Sequence, residues 1–203
     1  MMKIPSRYIE SAVDQMASLP GVGKRTALRL VLQLLNRSED EVRDFSEAFI
    51  AMKEHVKKCD TCGNVSDSTT CAVCSNPNRD HRLVCVVEDV RDVLAIESTE
   101  SYKGVYHVLG GIISPMDGIG PSDLNIEALV QRVSNGEIQE VILALSANME
   151  GDTTNFFIYK KIRGFEVRVT TLSRGVAVGS ELQYADEITL SRSLLHRQPF
   201  HVD

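Results

Sequence analysis

Leu83-Val84-Cys85-Val86-Val87, closed by Glu88, is the stretch that decides the fold. Five apolar residues without alternation, rich in β-branched side chains, read as a strand buried on both faces, the habit of parallel sheets. The pattern downstream agrees. A helix is expected over Val90–Glu97, a strand over Gly104–Leu109, a helix over Leu124–Val133 and a strand over Glu140–Leu145. A helix at about Thr153–Arg163 and a strand at Phe165–Thr170 follow. Strands alternating with helices mean α/β with a largely parallel sheet. Glu88 then stands at the carboxyl edge of the first strand, where such folds place their sites.

Upstream of that strand the grammar is different. Cys59-x2-Cys62 and Cys71-x2-Cys74 lie within sixteen residues. Two such knuckles can aim four thiolates at one point, as tetrahedral Zn²⁺ requires, and a closed four-sulfur site leaves no position for chemistry. A pair of disulfides, or four unrelated core cysteines, is the alternative. The start of the chain, MMKIPSRYIESAV, has no apolar run of the kind that directs secretion, and no run of about 18 apolar residues suggests a membrane span. The expectation is therefore a cytoplasmic protein, where reduced thiols favour metal over disulfides. Cys85 reads as a buried strand residue, and Pro77-Asn78-Arg79-Asp80 as a linker.

The first 58 residues read as three helices. Tyr8, Ile9, Ala12, Val13 and Met16 have helical spacing, as do Ala27, Leu28, Leu30, Val31, Leu34 and Leu35; a third helix should open at Glu39-Asp40-Glu41 and run to about Lys58. Between the first two lies Leu19-Pro20-Gly21-Val22-Gly23, which breaks the periodicity. Helix, glycine turn and helix form a candidate helix–hairpin–helix. Its second helix begins near Lys24, so free backbone N–H groups and the positive end of the helix dipole face whatever sits on the turn. Lys24, Arg25 and Arg29 add charge, and no acid occurs from Ala17 to Arg37. A DNA phosphate fits there, held without sequence readout. The plainer alternative is an αα-hairpin with a solvated basic face.

Net charge is −6, which argues against a protein that coats nucleic acid over its whole surface. The charge is divided: ten Lys/Arg against eight Asp/Glu in residues 1–58, one against three in 59–80, and eleven against seventeen in 81–203. Within the acidic part, Glu150 and Asp152 occur in Asn148-Met149-Glu150-Gly151-Asp152, after a strand and in a loop by this reading. Together with Glu88 they could converge on Mg²⁺. This resembles the Toprim domain of topoisomerases and primases, in which a strand-end glutamate and a later acidic pair hold the metal; here Glu-x-Asp replaces Asp-x-Asp. The other reading is an acidic loop that caps helix N-termini or meets a basic partner. Near the end, Gly175 and Gly179 support only turns, because no glycine-rich loop ending in Gly-Lys-Ser/Thr is present. A short helix is expected at Ile188–Leu195.

Taken in order, LPGVG, CDTC…CAVC, RLVCVVEDVRDVLAIE, YHVLGGIISPMDGIGP, MEGDTTNFF and SRGVAVGSELQYADEITLSRSLLHR resemble the bacterial RecR family of recombination mediators over nearly the full length. The stretches Tyr106–Pro121 and Gly175–Leu190 are the most distinctive. The resemblance implies an α+β multi-module chain. A helix–hairpin–helix would occupy residues 1–55, a zinc finger 56–79, a Toprim domain with parallel sheet 80–175, and a C-terminal oligomerisation or tail segment 176–203. It also implies a non-enzymatic repair factor that acts with RecO and RecF at gapped DNA to help RecA load on single strands. Such a protein forms ring-like homo-oligomers, tetramers among them, in the nucleoid-bearing cytoplasm. Carried over, Cys59, Cys62, Cys71 and Cys74 ligate zinc. The family's hairpin reads Gly-x-Gly-Pro-Lys-Ser-Ala-x-Arg; here Lys24 replaces the proline, Arg25 the lysine, and Arg29 keeps the final arginine. Glu150 and Asp152 fit its Glu-Gly-Glu/Asp loop, leaving Glu88, Glu150 and Asp152 as candidates for partner binding or for Mg²⁺. Two rivals remain at this stage: a Mg²⁺-dependent Toprim nuclease or primase-like enzyme, and a zinc-ribbon transcription factor. The second leaves the hairpin and the α/β half without a shared purpose.

Overall fold

A computed structural model describes residues 6–197 and Pro199. The chain divides into two units, Met1–Val56 and Lys57–Asp203.

In the first unit, α1 (Arg7–Ala17) and α2 (Lys24–Leu35) bury a small core. Val13, Ala27 and Val31 are its buried members, flanked by Ile9, Ala12, Met16, Val22 and Leu28, so most of the helical spacing read from the sequence is the packing face, while Tyr8, Leu30 and Leu35 from the same pattern stay exposed. The turn between them closes through a Val22 N–H to Leu19 carbonyl bond of 3.1 Å. Gly21 sits there at φ +79°, a left-handed conformation that a side chain would strain. The third helix, α3 (Glu39–His55), starts in a capping box: Ser38 accepts from the Glu41 amide, and the Glu41 carboxylate accepts from the Ser38 amide at 2.9 Å. It stops at His55, short of Lys58, and buries none of its residues.

The second unit opens with a two-stranded antiparallel ribbon, β1 (Lys57–Lys58) and β2 (Val65–Ser66), which carries the cysteine knuckles. The main sheet follows. Its strands are β3 (Asp80–Val87), β4 (Gly104–Val108), β5 (Glu140–Leu143) and β6 (Arg168–Thr171), all parallel, in the order β4-β3-β5-β6. Helix α4 (Val90–Glu97) joins β3 to β4; α5 (Ile126–Ser134) leads to β5, and α6 (Met149–Ile162) to β6. The central strand is buried on both sides, as its apolar run required. Val84 and Val86 face a core with Leu129 of α5 and Ile158 of α6, whereas Cys85 and Val87 face a smaller one with Val93 of α4. Because β4 and β5 flank β3, the chain reverses its winding there, and Glu88 marks the switch point.

Two expectations need correction. Residues 149–152 are not a loop: α6 begins at Met149, capped by Asn148, whose side chain accepts from the Gly151 amide at 2.7 Å. The polar Asn-x-x-Gly start hid the first turn of the helix. Nor is 77–80 a free linker. Asp80 already belongs to β3, and the Arg79 guanidinium donates to Glu97 and to the carbonyls of Tyr102 and Gly104. The C-terminal part holds α7 (Glu187–Leu195), one residue longer than expected. Among the described residues, no helix is long and apolar enough to cross a membrane.

Candidate metal and nucleic-acid sites

The four thiols of Cys59, Cys62, Cys71 and Cys74 lie within 4.8 Å of one another. All are free, and the Cys62 and Cys71 sulfurs are 3.6 Å apart. Zn–S bonds of about 2.3 Å imply tetrahedral S···S edges of about 3.8 Å, so the set suits zinc and is far from disulfide geometry. Backbone amides also point at sulfur. Those of Cys71 and Cys74 reach the Cys59 and Cys71 sulfurs at 3.3 and 3.5 Å. Burial pushes the Cys59 thiol up, but amides of Cys71, Cys62 and Thr61 outweigh it and bring the pKa down to about 6. Cys62 and Cys71 go the other way, raised chiefly by the hydrogen bond to Cys74 and by burial respectively, so a bound cation would be what holds all four as thiolates. The knuckles are part of the wall of the second unit: the Cys62 carbonyl accepts from the Val108 amide on the outer edge of β4.

At the hairpin, Gly23 is the N-cap of α2 and contributes no side chain, so the first-turn amides have no side-chain acceptor. Gly23 has an ordinary φ of −76°, and a Cβ added there would meet nothing within 4 Å. Nothing inside the unit therefore requires a glycine, while a side chain would obstruct an approach from outside. Lys24, Arg25 and Arg29 are exposed. Lys24 pairs with Asp14 at 3.1 Å, a contact worth little at such exposure. Among the described residues Arg25 and Arg29 form no salt bridge, which leaves them the readier phosphate ligands.

The three carboxylates of the α/β part are distributed over separate partners. Glu88 accepts from the Ser146 hydroxyl at 3.0 Å, and Glu150 from the Ser114 hydroxyl at 2.6 Å. Asp152 lies 2.5 Å from Arg174 Nη2 and 3.5 Å from Arg192 Nη2. The hydrogen bond from Arg174, aided by the charge of both guanidiniums, holds its carboxyl below the usual range. Among the described residues, only the four cysteines form a group of three or more potential ligands within 4.8 Å; Glu88, Glu150 and Asp152 do not. The sequence offered no sign of Arg174 or Arg192, which lie 22 and 40 positions from their partner.

A glycine-turn helix pair with exposed arginines, a closed four-thiol centre and a parallel sheet with an acid at its switch point define a modular protein whose hairpin suits nucleic acid and whose α/β part suits a Toprim fold. Family models match in that order: RecR helix–hairpin–helix over residues 9–53, RecR four-cysteine zinc finger domain over 56–76, Toprim domain over 82–173 and RecR C-terminal over 175–198. Recombination protein RecR of Parabacteroides distasonis is 56% identical over 200 residues, 98% of this chain and 96% of the relative. That of Flavobacterium johnsoniae is 56% identical over 199 residues, 98% and 97%. That of Porphyromonas gingivalis is 56% identical over 200 residues, with the same coverage. The chain belongs to the RecR family, and its role lies in recombinational DNA repair.

Proposed function

We propose that this chain is a non-enzymatic mediator that grips DNA through Arg25 and Arg29, with Lys24 beside them, and offers its acidic Toprim edge to a basic partner. On this reading the partners are RecO and RecF, the substrate is gapped DNA, single- or double-stranded at the grip, and the outcome is RecA loading on the single strand. The observation that carries it is the dispersal of the acids: Glu88, Glu150 and Asp152 are each held by a different protein group. A two-metal or single-Mg²⁺ reaction needs oxygens aimed at one point. Glu88 and Glu150 form no ion pair among the described residues and are free to meet a basic partner, and such an edge favours fast, salt-sensitive association. Asp152 is neutralised by its arginines and contributes less.

The four segments then divide the labour: residues 1–55 bind DNA, 56–79 hold one structural zinc, 80–175 meet the partner and 176–203 assemble copies. A ring-like tetramer is supported by apolar residues left open on α3 (Phe49, Ile50, Met52) and on the last segment (Leu182, Ile188, Leu195). A nucleoid-associated, cytoplasmic location goes with these roles. The test is incubation of pure protein with gapped DNA, nucleotides and Mg²⁺ or Mn²⁺. Cleavage or primer synthesis that disappears with Glu88→Gln would sink the reading in favour of a Toprim enzyme. Charge reversal at Glu88 and Glu150 should weaken RecO binding and leave zinc content unchanged; undiminished binding would remove the adaptor role from this edge.

A further inference from the structure

A cavity of about 800 Å³ opens beside the N-terminal part of α6, between the residues after β6 and α7. Its charged lining is Asp152 from α6, Arg174 from the segment after β6, Arg192 from α7 and Arg197 just beyond α7. Asp152 is the sole carboxylate there, and it sits between two guanidiniums. One carboxylate offsets one of them. The second guanidinium, together with Arg197, leaves two positive charges in excess of the carboxylates among the described lining residues. Arg174 and Arg192 keep only 27% and 38% of their side-chain surface exposed. Arg197 stands exposed beside them, and a concave surface with more guanidiniums than carboxylates attracts an anion.

Forked guanidiniums suit phosphate oxygens because they give two parallel hydrogen bonds each.

We infer that this cavity is a binding site for a phosphate-bearing ligand, gripped by Arg192 and Arg197 and flanked by Arg174. The site belongs to the second unit, needs no glycine-rich phosphate loop, and places a ligand against α7. Asp152 competes with the ligand for Arg174 and Arg192, so occupancy exchanges an internal ion pair for an external one. The phosphate can come from a small molecule or from a DNA backbone.

The experiment uses the full-length, zinc-loaded chain in low salt, with sodium tripolyphosphate as one probe and a single-stranded oligonucleotide as the other. Binding is followed by calorimetry in a background carrying Arg25→Ala and Arg29→Ala, which silences the hairpin. Arg192→Gln with Arg197→Gln should weaken binding of at least one probe by about tenfold or more, as expected for loss of charged hydrogen bonds. Asp152→Asn should strengthen it, because the competing carboxylate is gone; a purely structural ion pair would not change in that direction. Weakening with tripolyphosphate assigns a small phosphorylated ligand, and weakening with the oligonucleotide alone assigns the DNA backbone. If neither probe binds saturably, or the double arginine variant binds both as before with zinc content intact, the site does not exist.

Discussion

The Cys62 carbonyl accepts a 2.7 Å hydrogen bond from the Val108 amide. Val108 lies on β4, an edge strand, and its neighbour Leu109 donates the other way, to Val87 of β3, at 3.0 Å. The cysteine module thus occupies an edge that would otherwise present unpaired amides. The next residue, Gly110, bonds the Glu88 carbonyl at 2.9 Å. A short backbone path therefore runs from the metal knuckle to the switch point of the sheet.

Zinc removal should consequently be felt in the sheet. Chelation, or Cys71→Ser, is expected to cost several kcal/mol, because metal binding and folding are coupled in a segment too small to build its own core. Hydrogen exchange should show lost protection at Val108 while Val84 and Val86, between β4 and β5, stay protected. A zinc-free protein with Val108 still protected would uncouple the module from the sheet.

DNA binding should separate the three hairpin cations. Arg25→Ala and Arg29→Ala should each reduce the slope of log K against log salt by about one. Lys24→Ala should do less, because Lys24 already faces Asp14. Equal effects from all three would place the phosphate nearer the start of α2 than the charges indicate.

Stability should fall between pH 6.5 and 4 through His107. The side chain is fully buried; Nε2 donates to the Asn125 carbonyl at 2.7 Å, and Nδ1 has no partner among the described residues. Burial pushes its pKa down to about 4. The unfolded chain takes up a proton near the ordinary value of about 6.5, which the folded chain refuses until about pH 4, so stability declines as pH drops through that window. The loss approaches about 3 kcal/mol at the acid end, at 1.36 kcal/mol per unit. In denaturant titrations His107→Gln should flatten this dependence, even if it lowers stability at pH 7. An unchanged slope would assign the window to other groups.

Glu97→Ala should destabilise by roughly 3 kcal/mol, the range seen when one partner of a largely buried ion pair is removed. Glu97 accepts from Arg79 and, at 2.6 Å, from the Tyr106 hydroxyl, and the Arg79 side chain is only 15% exposed. Glu97→Gln, which keeps an acceptor, should cost less. Thermal melts of the two variants decide the matter, and indistinguishable melts would deny the cluster a structural part.

How much of this could be read from residues alone follows from range. The strand at Leu83–Val87, the helix pair around Gly21 and the four thiols are governed by local periodicity, turn chemistry and ligand spacing, and each appears where those rules put it. Arg79, which looked like part of a linker, and the Arg174–Asp152–Arg192 cluster depend on residues 18 to 40 positions apart, where no local rule operates. The start of α6 was missed because Asn148 and Gly151 are turn formers in isolation; here one caps the other.

Gly151 gives the acidic triplet a different meaning. A Cβ at this position would lie 1.9 Å from the Ser146 carbonyl oxygen, so every other amino acid is shut out by the main chain itself. That approach fits the start of α6 against the segment leaving β5, and it sends the flanking acids to unrelated neighbours, Ser114 on one side and Arg174 on the other. Selection for a snug helix–loop junction would preserve the glycine whatever the flanking charges do. The centre of the triplet is a joint in the scaffold, and alanine scanning across it will report joint failure there.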